Sequence, residues 1–221
     1  MSQSTLQKYD LEDLVRPMIA LLDQNRDHFV GWAKIHPLLL DGKPISPERI
    51  ATYLELTQEE VASLLRGAEL DEQGNLVGVG LSVVPTRHSY RILGRQLYTW
   101  CAVDAITYPI LHRTSAEIES ADPISGEKIR LTSTPEGVLD VDPVTAVVSL
   151  VTGMERRENV RAWLCHYAHF FSSLETASQY VAKHPRLVIV PVDQVFRLGQ
   201  LMWEREPYQS MIDEFSIIRE H

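Results

Sequence analysis

Two helix starts and a hairpin turn lie close together between residues 46 and 84, and they limit what this chain can build. Ser46-Pro47 joins an N-cap hydroxyl to a proline at the first helical position. Thr57-Gln-Glu-Glu60 has the spacing of a capping box. Ile50, Ala51 and Leu54 give the first helix an inner face, and Val61, Leu64 and Leu65 give one to the second. Joined through Leu54-Glu-Leu56, the two read as a helix-turn-helix. Asp71-Glu-Gln-Gly-Asn75 is a turn signal, and residues 76–84 read as a strand. Gly78 and Gly80 within that strand predict a bulge or a close approach by another segment.

A helix-turn-helix followed by a hairpin is a winged-helix pattern, whose usual employment is DNA binding. The second helix argues against that use: Glu59 and Glu60 stand against a lone Arg66, whereas a phosphate-facing helix needs the opposite balance. A net charge of −9 extends the objection to the whole chain, so no nucleic-acid partner is expected.

Upstream, Leu11, Leu14, Val15, Met18, Ile19 and Leu22 recur at helical spacing behind Asp10 as N-cap, with Pro17 marking a kink or a second start. Residues 32–40 read as a short helix interrupted by Pro37, and residues 41–44 as a turn. Downstream, residues 85–92 read as an exposed polar connection, with no role assigned to Arg87 or His88. Residues 98–108 read as a helix stopped by Pro109, with Ala102, Ala105 and Ile106 inward. The period then changes. Residues 127–132 and 146–151 read as strands, and residues 122–126, 135–137 and 142–143 as turns. Residues 160–171 read as a third strand, 172–183 as a helix, 187–190 as a strand and 192–203 as a helix. Helices first, then strands mixed with helices, predict an α+β fold with a boundary near residues 85–95: a winged-helix-like unit over 1–88 and a second α+β domain over 89–221.

An apolar content of 44% with 23% charged residues suits a soluble globular protein. No run approaches the roughly 18 apolar residues of a membrane span, and the first ten residues lack the apolar core of a secretion signal. A cytoplasmic setting, in which thiols stay reduced, is the expectation.

The chain has two cysteines. Cys101 is followed three positions on by Asp104, and on a helix such positions share a face. Cys165 lies in a second apolar segment. If the segments meet, two thiols and a carboxyl make a site for a soft metal. The plain alternative is that each cysteine is a small buried hydrophobe. His166 and His169 beside Cys165 make a poor zinc signal, because on a strand Cys165 and His169 point one way and His166 the other. No nucleophile elbow, phosphate loop or dinucleotide fingerprint is present. Trp100 either walls the site or is core; Tyr98 reads as core.

Leu97-Tyr-Thr-Trp-Cys-Ala-Val-Asp-Ala-Ile-Thr-Tyr-Pro closely resembles the signature of the alkylmercury (organomercurial) lyases. So do residues 71–82 and 146–151, Val160-Arg-Ala-Trp-Leu-Cys-His-Tyr-Ala-His-Phe-Phe, the helix over 173–184, and Val195-Phe-Arg-Leu-Gly-Gln. The likeness runs in order over roughly residues 30 to 203. It implies an N-terminal winged-helix-like domain that covers the site, and a catalytic α+β domain with small mixed or antiparallel sheets. It implies protonolysis of a carbon–mercury bond, releasing a hydrocarbon and Hg(II), in mercury detoxification. The family's catalytic residues fall on Cys101, Asp104 and Cys165, which also become the ligands of substrate and product mercury. On this reading Cys101 is the first ligand, Cys165 the second and Asp104 the proton shuttle. No bound cofactor is implied; cellular thiols or mercuric reductase would accept the Hg(II). Some members carry extra cysteines between and after the catalytic pair. Here residues 102–164 have none, and His166 follows Cys165. Two rivals stand beside this reading: a non-catalytic binder or sensor of mercury or copper on the same fold, for which Asp104 would have no use as a shuttle, and a winged-helix regulator with redox-active cysteines.

Overall fold

The computed structural model describes residues 9–152, 161–210 and 212. Helices α1 (Leu11–Gln24) and α2 (Arg26–Leu39) come first, and both run through their internal prolines, Pro17 and Pro37. Asp10 caps α1 by accepting from the Glu12 N–H, and α2 begins six residues earlier than its apolar pattern suggested. The two predicted starts hold: Ser46 caps α3 (Pro47–Leu54), and Thr57 and Glu60 form a full capping box on α4 (Gln58–Leu64). Each such cap stabilises its helix by about 1 kcal/mol. The Trp32 indole N–H donates to the Leu64 carbonyl at 2.8 Å and ties α2 to α4.

The expected hairpin is present as β1 (Glu69–Leu70) and β2 (Leu76–Val79), but the strand breaks at Gly80 and resumes as β3 (Leu81–Ser82). Gly80 sits at φ +82°, and a Cβ there would run into the Tyr108 hydroxyl, so the close approach that the glycines signalled is made by that tyrosine. Residues 85–92 are not a free connection. His88 opens β4 (His88–Ile92), which turns through Leu93 and Gly94, both at positive φ, into β5 (Arg95–Thr99). With β6 (Ala116–Ala121), β7 (Lys128–Ser133) and β8 (Val138–Asp142), these strands form one antiparallel sheet in the order β1-β2-β3-β5-β4-β6-β7-β8. A second sheet has the order β10-β9-β11, with β9 (Val147–Val151), β10 (Phe170–Phe171) and β11 (Leu187–Pro191). Helix α6 (Leu174–Val181), capped by Ser173, covers the small sheet, and α7 (Val192–Trp203) follows β11 directly.

Helix α5 (Ala102–His112) is the axis of the core, and every residue in it except Asp104 is buried. It begins four residues later than expected, because Tyr98 belongs to β5 and Cys101 is the N-cap. It also continues through Pro109. A proline inside a helix costs about 3 kcal/mol, but Val103, Ile106, Ile110 and Leu111 are each buried here, and each contributes about 1.5–3 kcal/mol. One turn before Pro109, the Ser133 hydroxyl of β7 donates to the Ile106 carbonyl at 2.7 Å. Against α5 lies α7, so close that a Cβ on Gly199 would meet the Thr107 side chain at 2.6 Å. One apolar cluster runs from Leu14 in α1 to Ile212.

The segment expected as a third strand is different. Val160 lies outside the described residues. Arg161–Cys165 is a π-helical turn, in which the His166 N–H reaches the Arg161 carbonyl at 2.9 Å, and only Phe170–Phe171 is strand. Among the described residues no helix is long and apolar enough to cross a membrane.

Candidate active site

Strand β5 ends at Thr99, and the chain must turn at once into α5. Two hydrogen bonds hold that corner: the Trp100 N–H donates to the Gly80 carbonyl at 2.8 Å, and the Thr99 hydroxyl donates to the Cys101 carbonyl at 3.1 Å. Cys101 and Asp104 therefore take the N-cap and N3 positions, the places of a capping box with a thiol where a hydroxyl usually stands. The Asp104 carboxylate accepts from the Cys101 backbone N–H, although the Cys101 sulfur makes no cap hydrogen bond of full geometry.

The Cys165 loop is drawn onto this corner from the small sheet. Ala102 N–H donates to the Ala168 carbonyl at 3.0 Å. Ser149 of β9, itself buried, bonds the loop three times: its hydroxyl donates to the Tyr167 carbonyl at 2.6 Å and accepts from the His169 N–H at 3.2 Å, and its N–H donates to the His169 carbonyl at 3.0 Å. The three predicted residues come together as a result. One ligand atom from each of Cys101, Asp104 and Cys165 lies within 4.8 Å of the others, and the Cys165 Sγ is 3.9 Å from an Asp104 carboxylate oxygen. Both cysteines are free thiols. His166 and His169 are not part of this cluster.

Burial sets the protonation of the trio. It lifts the Asp104 carboxyl to about 6, against hydrogen bonds from Cys101 and Tyr108 that favour the charged form. It pushes the Cys101 thiol well above its ordinary range, and the hydrogen bond to Cys165 and the Asp104 charge push the same way. At Cys165 the hydrogen bond from Cys101 favours the thiolate, but burial and the Asp104 charge outweigh it and the net shift is upward. At neutral pH the site holds two thiols and one carboxylate.

Tyr108 is the member that the sequence reasoning missed. It stands one helical turn beyond Asp104, is buried, and donates its hydroxyl to the carboxylate. Its signal was the i, i+4 spacing of a tyrosine behind an acid on one helix face. Trp100 proves to be a wall: 7% exposed, it lines the cavities on both sides of Cys165. Tyr98 is half-buried on β5 and lines neither of these two cavities.

Over Asp104 and Cys165 lies an apolar cavity of about 80 Å³, walled by Met18 and Leu22 of α1, Trp32 of α2, Leu111 of α5 and Met202 of α7. His36 also lines it and bonds the His112 ring and the Val79 carbonyl, both at 3.0 Å. Burial brings His36 down to about 4 and keeps it neutral.

A thiol pair, a half-buried acid and an apolar cavity together suit a soft-metal organyl. The family model of the alkylmercury lyases matches residues 81–204, a stretch that holds all three residues. The chain belongs to the alkylmercury lyase family. It is 40% identical over 171 residues to an alkylmercury lyase of Staphylococcus epidermidis, covering 76% of this chain and 79% of that one. To the alkylmercury lyase of Bacillus cereus it is 39% identical over 201 residues, covering 86% and 92%. A crystal structure of the mercury-bound form of MerB2 superposes with a TM-score of 0.73 at 21% identity, over 92% of this chain and 98% of that one, a likeness of fold.

Proposed function

We propose that this alkylmercury lyase cleaves the carbon–mercury bond of organomercurials between Cys165, Cys101 and Asp104, releasing a hydrocarbon and Hg(II) in mercury detoxification. The observation that carries the reading is the convergence of two soft thiols on one proton-holding carboxyl beneath an apolar cavity. Cys165 is the thiol that faces the cavities, whereas Cys101 is fully buried, so Cys165 captures the organomercury cation first. This reverses the order expected from the sequence.

Cys165 Sγ bonds to mercury as the carrier thiolate leaves, and the Cys165 proton departs with that carrier. Cys101 then passes its proton to Asp104, to which it is already hydrogen-bonded, and its sulfur becomes the second ligand. Its place at the N-terminus of α5 favours the new negative charge. The second thiolate pushes electron density toward the carbon. Asp104, with a proton affinity raised to about 6, delivers the proton to that carbon as the carbon–mercury bond breaks. The hydrocarbon forms in an apolar cavity with little water to compete for the proton. Hg(II) is left on two thiolates. Tyr108 positions the carboxylate.

Residues 1–88 act as the covering unit and 89–221 as the catalytic one. No resident cofactor is needed. An external thiol or mercuric reductase accepts the Hg(II), and the thiol chemistry belongs in a reducing compartment such as the cytoplasm.

The direct test is one turnover of methylmercury on reduced protein, with methane and Hg(II) measured. Stoichiometric methane is expected. Mercury retained on the thiols without methane would make the protein a binder instead.

A further inference from the structure

Cys165 also borders a second cavity, of about 370 Å³, on the side away from the apolar one. Among the described residues its walls include Arg87, Arg161, Trp100, His88 and His169, and no acid. Arg161 lies over the Trp100 ring at 4.7 Å and pairs with Glu69 at 3.1 Å, so its charge is partly spent. Arg87 is exposed and forms no ion pair among the described residues. His88 is held by Ser120 at 2.9 Å and stacked on His169 at 6.1 Å. Burial keeps both rings neutral, near 3 and 4. His169 Nδ1 has no hydrogen-bond partner among the described residues. A chain of net charge −9 thus opens a cationic mouth onto the sulfur of its more accessible cysteine.

We propose that this cavity docks a small thiol bearing carboxylates, which takes Hg(II) off Cys165. The inference rests on the lyase reading above, since it concerns the mercury that the reaction leaves behind. The apolar cavity offers an incoming anion little welcome, whereas the second cavity is lined by Arg87 and imidazoles together with the cysteine whose sulfur must be displaced. The incoming sulfur bonds to mercury, the mercury–Cys165 bond breaks, and the proton given up by the incoming thiol ends on Cys165 Sγ. A second thiol repeats the exchange at Cys101. Mercury stays Hg(II) throughout, and nothing is oxidised or reduced.

The test loads the full protein with mercury by one turnover of methylmercury, recording methane, and then measures Hg(II) release by mercaptosuccinate, 2-mercaptoethanol and cysteamine at equal thiolate concentration. Mercaptosuccinate is expected to be about tenfold faster than 2-mercaptoethanol at low ionic strength, with the advantage shrinking in roughly 0.5 M salt, on the scale of electrostatic steering by one or two cations (~10-fold). Arg87→Gln is expected to cut the mercaptosuccinate to 2-mercaptoethanol ratio by roughly threefold or more, and Arg87→Lys to keep it. A ratio taken within each protein cancels any general loss from the substitution. Methane release with equal rates for the three thiols, or with a ratio unmoved by Arg87→Gln, would overturn this inference alone. Absence of methane in the unsubstituted protein would overturn the lyase reading and the inference with it.

Discussion

Asp104→Asn is expected to stabilise the protein at neutral pH while it abolishes methane release. In the folded chain the Asp104 carboxyl holds its proton up to about pH 6, against an ordinary value of 3.8. A group whose folded value is raised contributes stability that is present below the unfolded value and lost as pH rises through the folded one. About two units at 1.36 kcal/mol each make about 3 kcal/mol, an upper figure because the carboxyl is only partly buried and reaches the cavity. Asparagine has no proton to lose, keeps an oxygen for the Tyr108 hydroxyl, and avoids that cost. The measurement is urea unfolding of both reduced proteins between about pH 4.5 and 7.5. Stability of the Asp104→Asn protein minus that of the unsubstituted one should climb by up to about 2 kcal/mol across the window, steepest between about pH 4.5 and 6. Both thiols stay protonated throughout that range in the folded state, since their own values are raised. A difference that stays flat with pH would refute the claim that burial, and not a pairing common to both side chains, sets the acid's proton affinity.

Cys101→Ser should still capture methylmercury on Cys165 and release no methane, whereas Cys165→Ser should fail at capture; on the order of a thousandfold loss of turnover is expected for each, and full activity in Cys165→Ser would sink the two-thiolate scheme. Gly80→Ala drives a methyl into the Tyr108 hydroxyl from a left-handed backbone, so kcat should fall about tenfold or more through misplacement of Asp104, together with a drop in Tm; an active, stable Gly80→Ala protein would remove Tyr108 from the site. The apolar cavity, at about 80 Å³, is roughly half the ~150 Å³ that holds benzene in an engineered protein core. Met202→Ala should therefore lower the KM for phenylmercury relative to methylmercury, and equal changes for both substrates would show that this cavity does not receive the organic group. Asp122 is buried, and its carboxylate accepts from Ser172, Thr176, Ile124 and Ser125, bonds that hold its proton affinity below the usual range despite burial. Asp122→Asn should cost about 2–4 kcal/mol at neutral pH and progressively less as pH falls below about 4, where the unfolded chain takes up the proton that the native carboxylate still resists; a cost independent of pH in acid unfolding curves would contradict this.

The Cys101–Asp104 spacing was legible, but for a reason other than the one the sequence suggested. Positions three apart were read as neighbours on a helix face, and they are instead the N-cap and N3 of a helix that starts just after Cys101. Both geometries bring side chains i and i+3 together, so the pairing survived an error in the helix start. Ser46 and Thr57 were read correctly because a cap is a local contract between a side chain and the next three amides. Pro109 misled because its penalty is local while the burial that overrides it is tertiary. The Cys165 segment misled because a π turn has no short-range signature. Strands β4 and β5 went unread because exposed Arg91, Arg95 and Gln96 mask the alternation, and the Leu93-Gly94 turn between them carries only one residue typical of turns. The apolar cavity was invisible for a plainer reason: its walls come from α1, α2, α5 and α7, which are far apart in sequence.

That last arrangement governs how the protein comes into being. The ribosome makes Cys101, Asp104 and Cys165 before it makes α7, yet Met202 and Trp203, near the end of α7, complete the apolar chamber, and α1 at the other end of the chain packs beside them. While residues 192–203 are still in the exit tunnel, the nascent chain has its reactive groups but no enclosure. The water-poor setting that the proton transfer requires is thus assembled last, and a chain truncated before Val192 would hold both thiols and still be unable to shelter a substrate.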